Sequence, residues 1–187
     1  IGFVQGRLSE KIGSRYQHFP IINWQDEFSV ASDIGFDSIE WIVSDFSNPI
    51  FNIHERKIIK YLIKKNKINI SSISLDLLMF NPLYKMEDKD FNWLIENLSL
   101  SVDMLNIKRV SFPIEEQSAL YNINDVVIAQ KRLALAQKII AKKNKKIISI
   151  ESDLSPNNLL NFLNHKSLSN IGVTYDTGNI LANGYNT

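Results

Sequence analysis

Short β-rich runs and longer stretches with helical spacing alternate from one end of the chain to the other, and this alternation limits the possible folds more than any single residue does. Strand candidates are Ile1 to Val4, Phe36 to Val43, Ile68 to Leu75, Arg109 to Phe112, Lys146 to Ile150 and Ile171 to Tyr175. Their starts lie about 34 residues apart on average, the length of one strand plus its crossover helix. Between the first two, Trp24, Phe28, Ala31 and Ile34 recur at helical spacing, with Asn23 as N-cap, Asp26 and Glu27 at the positive end of the dipole, and Gly35 as the stop. Ile58, Ile59, Leu62 and Ile63 mark a second helix whose lysines read as a solvated face. Phe91, Leu94, Ile95, Leu98, Val102 and Leu105 mark a third. Val126, Ala129, Leu133, Ala136 and Ile140 mark a fourth, from about Asp125 to Lys143, and Ser155 with Pro156 opens a short helix through Leu163.

Parallel strands joined by helices make either an open doubly wound sheet or a closed (β/α)8 barrel, and six units alone do not decide between them. Eight units at this repeat need about 250 residues. The chain has 187, so as a barrel it is expected to hold about six of eight units of one domain, incomplete at its C-terminus.

Composition closes several routes. The chain is 44% hydrophobic and 22% charged, which gives a packed core rather than disorder. Twenty-one Lys plus Arg against 20 Asp plus Glu offer no basic field for nucleic acid, so no nucleic-acid partner is expected. No apolar run approaches the length of a membrane span, and the N-terminal segment lacks the apolar core of a signal peptide, so a cytoplasmic protein without a membrane partner is expected. Without cysteine, any metal must be held by carboxylates, imidazoles or water. Phosphate-loop, dinucleotide, nucleophile-elbow and H-E-x-x-H motifs are all absent from the sequence.

In both architectures functional groups gather at the C-terminal ends of the strands. The first strand ends in Gln5, Gly6 and Arg7, the second in Glu40, the third in Asp76, the fourth in Ser111 and Pro113, the fifth in Glu151 and Asp153, and the sixth in Asp176 and Asn179. Carboxylates at the ends of adjacent parallel strands, here Glu151 and Asp176, repel each other unless a cation or a shared proton lies between them. Each has a plainer alternative. Glu151 could cap the following loop, Asp176 could belong to a simple turn, Glu40 could point outward, and Arg7 could make only a salt bridge across the barrel mouth rather than grip an anionic substrate. Asp76 and Asp153 read best as caps of local backbone. His18, His54 and His165 read as surface or packing residues, because none falls at a strand end. Trp24, Trp41, Phe91 and Trp93 read as core or helix-packing residues.

Together IGFVQGRLS, GFDSIEW, SLDLLMFNPL, IESDLSP and VTYDTGN, in this order at successive strand ends, resemble the xylose-isomerase-like TIM-barrel superfamily and, within it, the bacterial sugar phosphate isomerase/epimerase group. The resemblance runs along essentially the whole chain. It implies an α/β (β/α)8 TIM barrel with a divalent cation, Mn2+, Mg2+, Co2+ or Zn2+, at the C-terminal mouth. Its strand-five glutamate and strand-six aspartate ligands fall on Glu151 and Asp176. The histidine and glutamate that complete the family's site, from strands seven and eight, have no counterpart in this sequence. Apurinic-site endonucleases of the same superfamily carry a histidine three residues after that aspartate; Asn179 stands there and argues against DNA repair.

The implied activity is a metal-dependent isomerase or epimerase acting on a ketose or sugar phosphate through an enediolate, with a carbohydrate as its small-molecule partner. Glu151 would serve as ligand and proton-transfer base, Asp176 as ligand, and Arg7, Glu40 and Asn179 as substrate-binding residues. A metal-dependent dehydratase of a keto-inositol or sugar acid, a non-catalytic sugar-binding relative, and a metal-free open sheet remain as alternatives. The oligomeric state is open, a homo-oligomer included.

Overall fold

A computed structural model describes residues 1–10, 18–141 and 146–185. Six strands are present: β1 (Gly2–Val4), β2 (Ser38–Ile42), β3 (Asn69–Ser74), β4 (Arg109–Ile114), β5 (Ile147–Ser152) and β6 (Ile171–Val173). All neighbours pair in parallel, in the order β1-β2-β3-β4-β5-β6. A doubly wound sheet needs that order to reverse at a switch point, and here it never does. The chain is wound in one direction only, as in a barrel.

Curvature supports the same reading. On a flat sheet, strands two places apart lie roughly 9–10 Å from each other. Ser111 Oγ on β4 nevertheless lies 3.0 Å from Thr174 Oγ1, just past β6, and Ser149 Oγ on the intervening β5 lies 2.8 Å from the same oxygen. Side chains this short meet across an intervening strand only if the sheet curls, with their hydroxyls on the concave side.

The crossover helices are α1 (Asp26–Asp33), α2 (Ile53–Asn66), α4 (Asp88–Met104), α5 (Ile123–Ile140) and α6 (Pro156–Leu163). Two shorter helices directly follow strands, α3 (Leu77–Phe80) after β3 and α7 (Thr177–Ala182) after β6. Gly35, at φ +88°, closes α1 as expected: its N–H bonds Ser32 O, and Phe36 N bonds Ala31 O. Asn52 and Ser155 cap α2 and α6 with their side chains. Asn23 does not cap α1, because residues 21–25 form a turn and the helix begins only at Asp26. The fourth predicted helix ends at Ile140; its expected last residues, Lys142 and Lys143, lie outside the described residues.

The apolar core lies between the convex face of the sheet and the helices. Trp41 is fully buried at its centre among Phe19, Trp24 and Phe28, with its indole N–H donating to Asn48 Oδ1 at 3.0 Å. Trp24 and Phe91 are core residues, and Trp93 of α4, 41% exposed, packs edge-on against Phe46 and Phe51, the core and helix-packing roles expected of them. No helix among the described residues is long and apolar enough to cross a membrane.

Candidate active site

The concave side of the sheet is polar because alternate strand positions carry short hydroxyls and carboxylates. Register places Glu40 beside Ser72, Ser74 beside Ser111, Ser111 beside Ser149, and Pro113 beside Glu151. At the C-terminal ends of the strands these rows open into a cavity of about 860 Å³. Asp76, Glu115, Glu151, Asp176 and Asn179 line its polar wall, and Phe19, Met79 and Phe80 supply apolar surface.

Glu151 and Asp176 therefore share one cavity, as expected. Asn179, in the first turn of α7, links two acids: its amide nitrogen donates to Glu115 Oε2 at 2.6 Å and reaches Glu151 Oε1 at 3.3 Å. Burial first, then the negative charges of Glu115, Asp176, Glu40 and Asp76, push the Glu151 carboxyl up to about 8. The Glu115 carboxyl is pushed up to about 7, again first by burial and then by Glu116, Asp153, Asp176 and Asp76. Two half-buried or buried acids joined by one amide and repelled by their neighbours are poised to take up a proton or a cation near neutral pH.

Asp176 does double duty in the local fold. Its Oδ1 accepts from Gly178 N (2.6 Å) and Asn179 N (3.1 Å), capping α7. The plain turn reading of Asp-Thr-Gly thus holds together with a place in the cavity. Asp76 accepts from Ser74 Oγ at 2.6 Å and is buried in the cavity wall, where the sequence suggested only a loop cap. Asp153 Oδ2 accepts from Glu116 N at 3.1 Å, the backbone-capping role expected of it.

Glu40 is half-buried and accepts from Ser72 Oγ at 2.8 Å. It lies deeper than the cavity lining but close enough for its charge to raise Glu151. Arg7 is exposed on the loop after β1 and is not among the lining residues.

Glu115 and His18 escaped sequence reasoning. In the sequence the fourth strand reads as ending at Phe112, before a proline that supplies no ladder N–H. β4 instead runs to Ile114, and the alternation Ser111, Pro113, Glu115 turns Glu115 inward. The readable signal was the Glu115-Glu116 pair straight after an apolar run, reinforced in the structure by a left-handed backbone at Glu116 (φ +49°). Of the surface and packing roles expected, His18 takes the buried one, at 9% exposed, and it also lines the cavity; His54 and His165 are exposed.

Carboxylates predominate among the polar groups of the cavity, a donor type that suits hard divalent cations, with the His18 imidazole and the Asn179 amide beside them. Among the described residues no group of three or more histidines, aspartates and glutamates is arranged to hold a metal ion.

No family model and no curated protein matches the sequence. Solved structures do match the fold. A xylose isomerase-like TIM barrel protein from Mycobacterium smegmatis, in complex with magnesium, superposes with a TM-score of 0.68 at 14% identity, covering 84% of this chain and 57% of its own. D-psicose 3-epimerase with D-tagatose, from Clostridium cellulolyticum H10, gives 0.63 at 13% identity, covering 85% and 60%. An AP endonuclease, family 2, from Brucella melitensis gives 0.64 at 12% identity, covering 86% and 66%. The chain thus has the xylose-isomerase-like TIM-barrel fold and spans 57% to 66% of the length of these structures. At such identities the likeness establishes the fold alone.

Proposed function

We propose that this chain belongs to a divalent-metal-dependent isomerase or epimerase that moves a proton next to the carbonyl of a ketose. The observation that carries this reading is the Glu115–Asn179–Glu151 cluster beside Asp176, which places carboxyls held near 7 and 8 at the mouth of a barrel. The D-psicose 3-epimerase neighbour supports it as a sugar-converting enzyme on the same fold.

Glu151 and Asp176 are the residues that would hold Mn2+, Mg2+, Co2+ or Zn2+, and the cation would polarise the substrate carbonyl and acidify the adjacent C–H. Glu151 would accept that proton as the general base. Asn179 orients Glu151 and Glu115 with its amide nitrogen, and its amide oxygen would accept from a substrate hydroxyl. Glu40, which accepts from Ser72 Oγ, acts on Glu151 through its charge, and Arg7 stands outside the cavity lining.

The test is incorporation of solvent deuterium into D-fructose or D-tagatose by the full-length protein, with each of the four metals, against Glu151→Gln and Asp176→Asn. The reading requires exchange that depends on metal and falls by roughly 100-fold or more in both variants. Exchange that persists in both, or with metal removed, rejects it. Loss of water from a sugar acid without epimerisation would point instead to a dehydratase.

A further inference from the structure

The Gln5 to Ser9 segment, conspicuous in the sequence, has little part in the chemistry above, and the structure gives it a supporting one. Gly6 sits at φ +86°, and a Cβ there would lie 2.2 Å from the carbonyl oxygen of His18, so glycine alone lets the two backbones touch. Glu27 of α1, 1% exposed, fastens this loop by accepting from Gly6 N at 2.9 and 3.0 Å and from Leu8 N at 3.2 Å. On the other side Phe19 N donates to Ser44 Oγ at 3.4 Å. His18 is therefore held against the cavity wall from both sides.

Its imidazole is nine-tenths buried, yet neither ring nitrogen has a hydrogen-bond partner among the described residues. A neutral imidazole offers one donor and one acceptor, and burying both unmatched is costly. A sugar hydroxyl donates and accepts, so it satisfies either nitrogen.

The charges around His18 narrow the ligand further. Among the described residues, the cavity lining carries six carboxylates, Asp45, Asp76, Glu115, Glu116, Glu151 and Asp176, and no lysine or arginine. A phosphate dianion would meet repulsion from these carboxylates, and no described lining residue carries a cation to pair with it. Uncharged hydroxyls can bond the carboxylates, and a sugar's C–H face can rest on exposed Phe80.

We propose that the cavity takes an unphosphorylated polyhydroxy ligand and that His18 is one of the side chains that grip its hydroxyls. This rests on the reading of the cavity as a sugar site, and it names the substrate class. Calorimetric titration of the full-length protein, with and without Mn2+, compares D-fructose and D-tagatose with their 6-phosphates. The free ketoses should bind at least about tenfold more tightly than the phosphates; His18→Leu should weaken them by about tenfold or more, and His18→Gln, which keeps a donor and an acceptor, should restore most of that loss. Thermal melting of the variants separates weakened binding from failed folding, and the comparison of free with phosphorylated sugar needs only the unaltered protein. Tighter binding of a 6-phosphate, unchanged affinity in a folded His18→Leu, or no binding of any free ketose overturns the proposal. Unchanged binding in His18→Leu alongside lost deuterium exchange in Glu151→Gln would sink this inference and leave the proposed function standing. Free-ketose binding that depends on His18, without exchange under any metal, would do the reverse.

Discussion

Replacing Glu151 by Gln should make the metal-free protein more stable at alkaline pH and leave it nearly unchanged in acid. The folded protein holds this carboxyl near 8, whereas in an unfolded chain it sits near 4.5. The folded state therefore binds the extra proton between those values, so wild-type stability declines as pH rises from about 4.5 to about 8 and is level beyond. At ~1.4 kcal/mol per pH unit, the full gap corresponds to at most ~5 kcal/mol. Because Glu151 is only half-buried, solvent screening reduces the expected penalty to ~1–3 kcal/mol. Gln keeps the shape and an acceptor oxygen for Asn179 but never ionises. Urea denaturation of both proteins at pH 5 and pH 9, in the presence of a chelator, measures the effect, and taking the difference between the two pH values cancels any cost of packing Gln. Glu151→Gln should gain ~1–3 kcal/mol on wild type between pH 5 and pH 9. A pH-independent difference, or a relative loss at pH 9, would refute the claim that crowding and burial destabilise this charge.

Two further substitutions probe the supports of the site. Gly6→Ala combines a left-handed backbone with a Cβ 2.2 Å from His18 O and should cost ~2–4 kcal/mol in urea denaturation, whereas Gly35→Ala, at φ +88° with nothing within 4 Å of its Cβ, should cost only ~1 kcal/mol; equal costs would remove the argument for close backbone contact. Thr174→Val deletes the hydroxyl shared by Ser111 and Ser149 and should cost ~1–2 kcal/mol by thermal or urea unfolding, while an unchanged midpoint would deny those hydrogen bonds a role in curling the sheet.

The layout of strands and crossover helices was legible because each strand is a short run carrying β-branched and aromatic residues and the long helices repeat an apolar stripe at helical spacing. Local chemistry marked the ends as well, as with Gly35 after α1 and Ser155 before α6. Which of the two architectures the units build was not legible from their spacing. It depends on strand order and curvature, and these appear in contacts such as Ser111 to Thr174, some 60 positions apart. The carboxylates at strand ends were readable wherever the strand end itself was, which gave Glu151 and Asp176 but not Glu115. One proline concealed two further residues of β4 and, with them, the inward turn of Glu115. His18 was hidden for another reason. It belongs to no strand, and what brings it to the cavity is a tertiary contact with Gly6 and a loop fastened by Glu27, neither of which leaves a periodic trace. Arg7 shows the converse: it follows a strand end in sequence, yet the turn after β1 leaves it exposed on the rim.

The most direct measurement of the central claim is proton NMR of D-fructose and D-tagatose incubated in deuterium oxide with the full-length protein and Mn2+. The account predicts loss of the C–H signal next to the carbonyl, together with an epimer or aldose product, and neither change when Glu151 is replaced by Gln or the metal is chelated. Conversion without deuterium uptake, or uptake that survives Glu151→Gln, would contradict it.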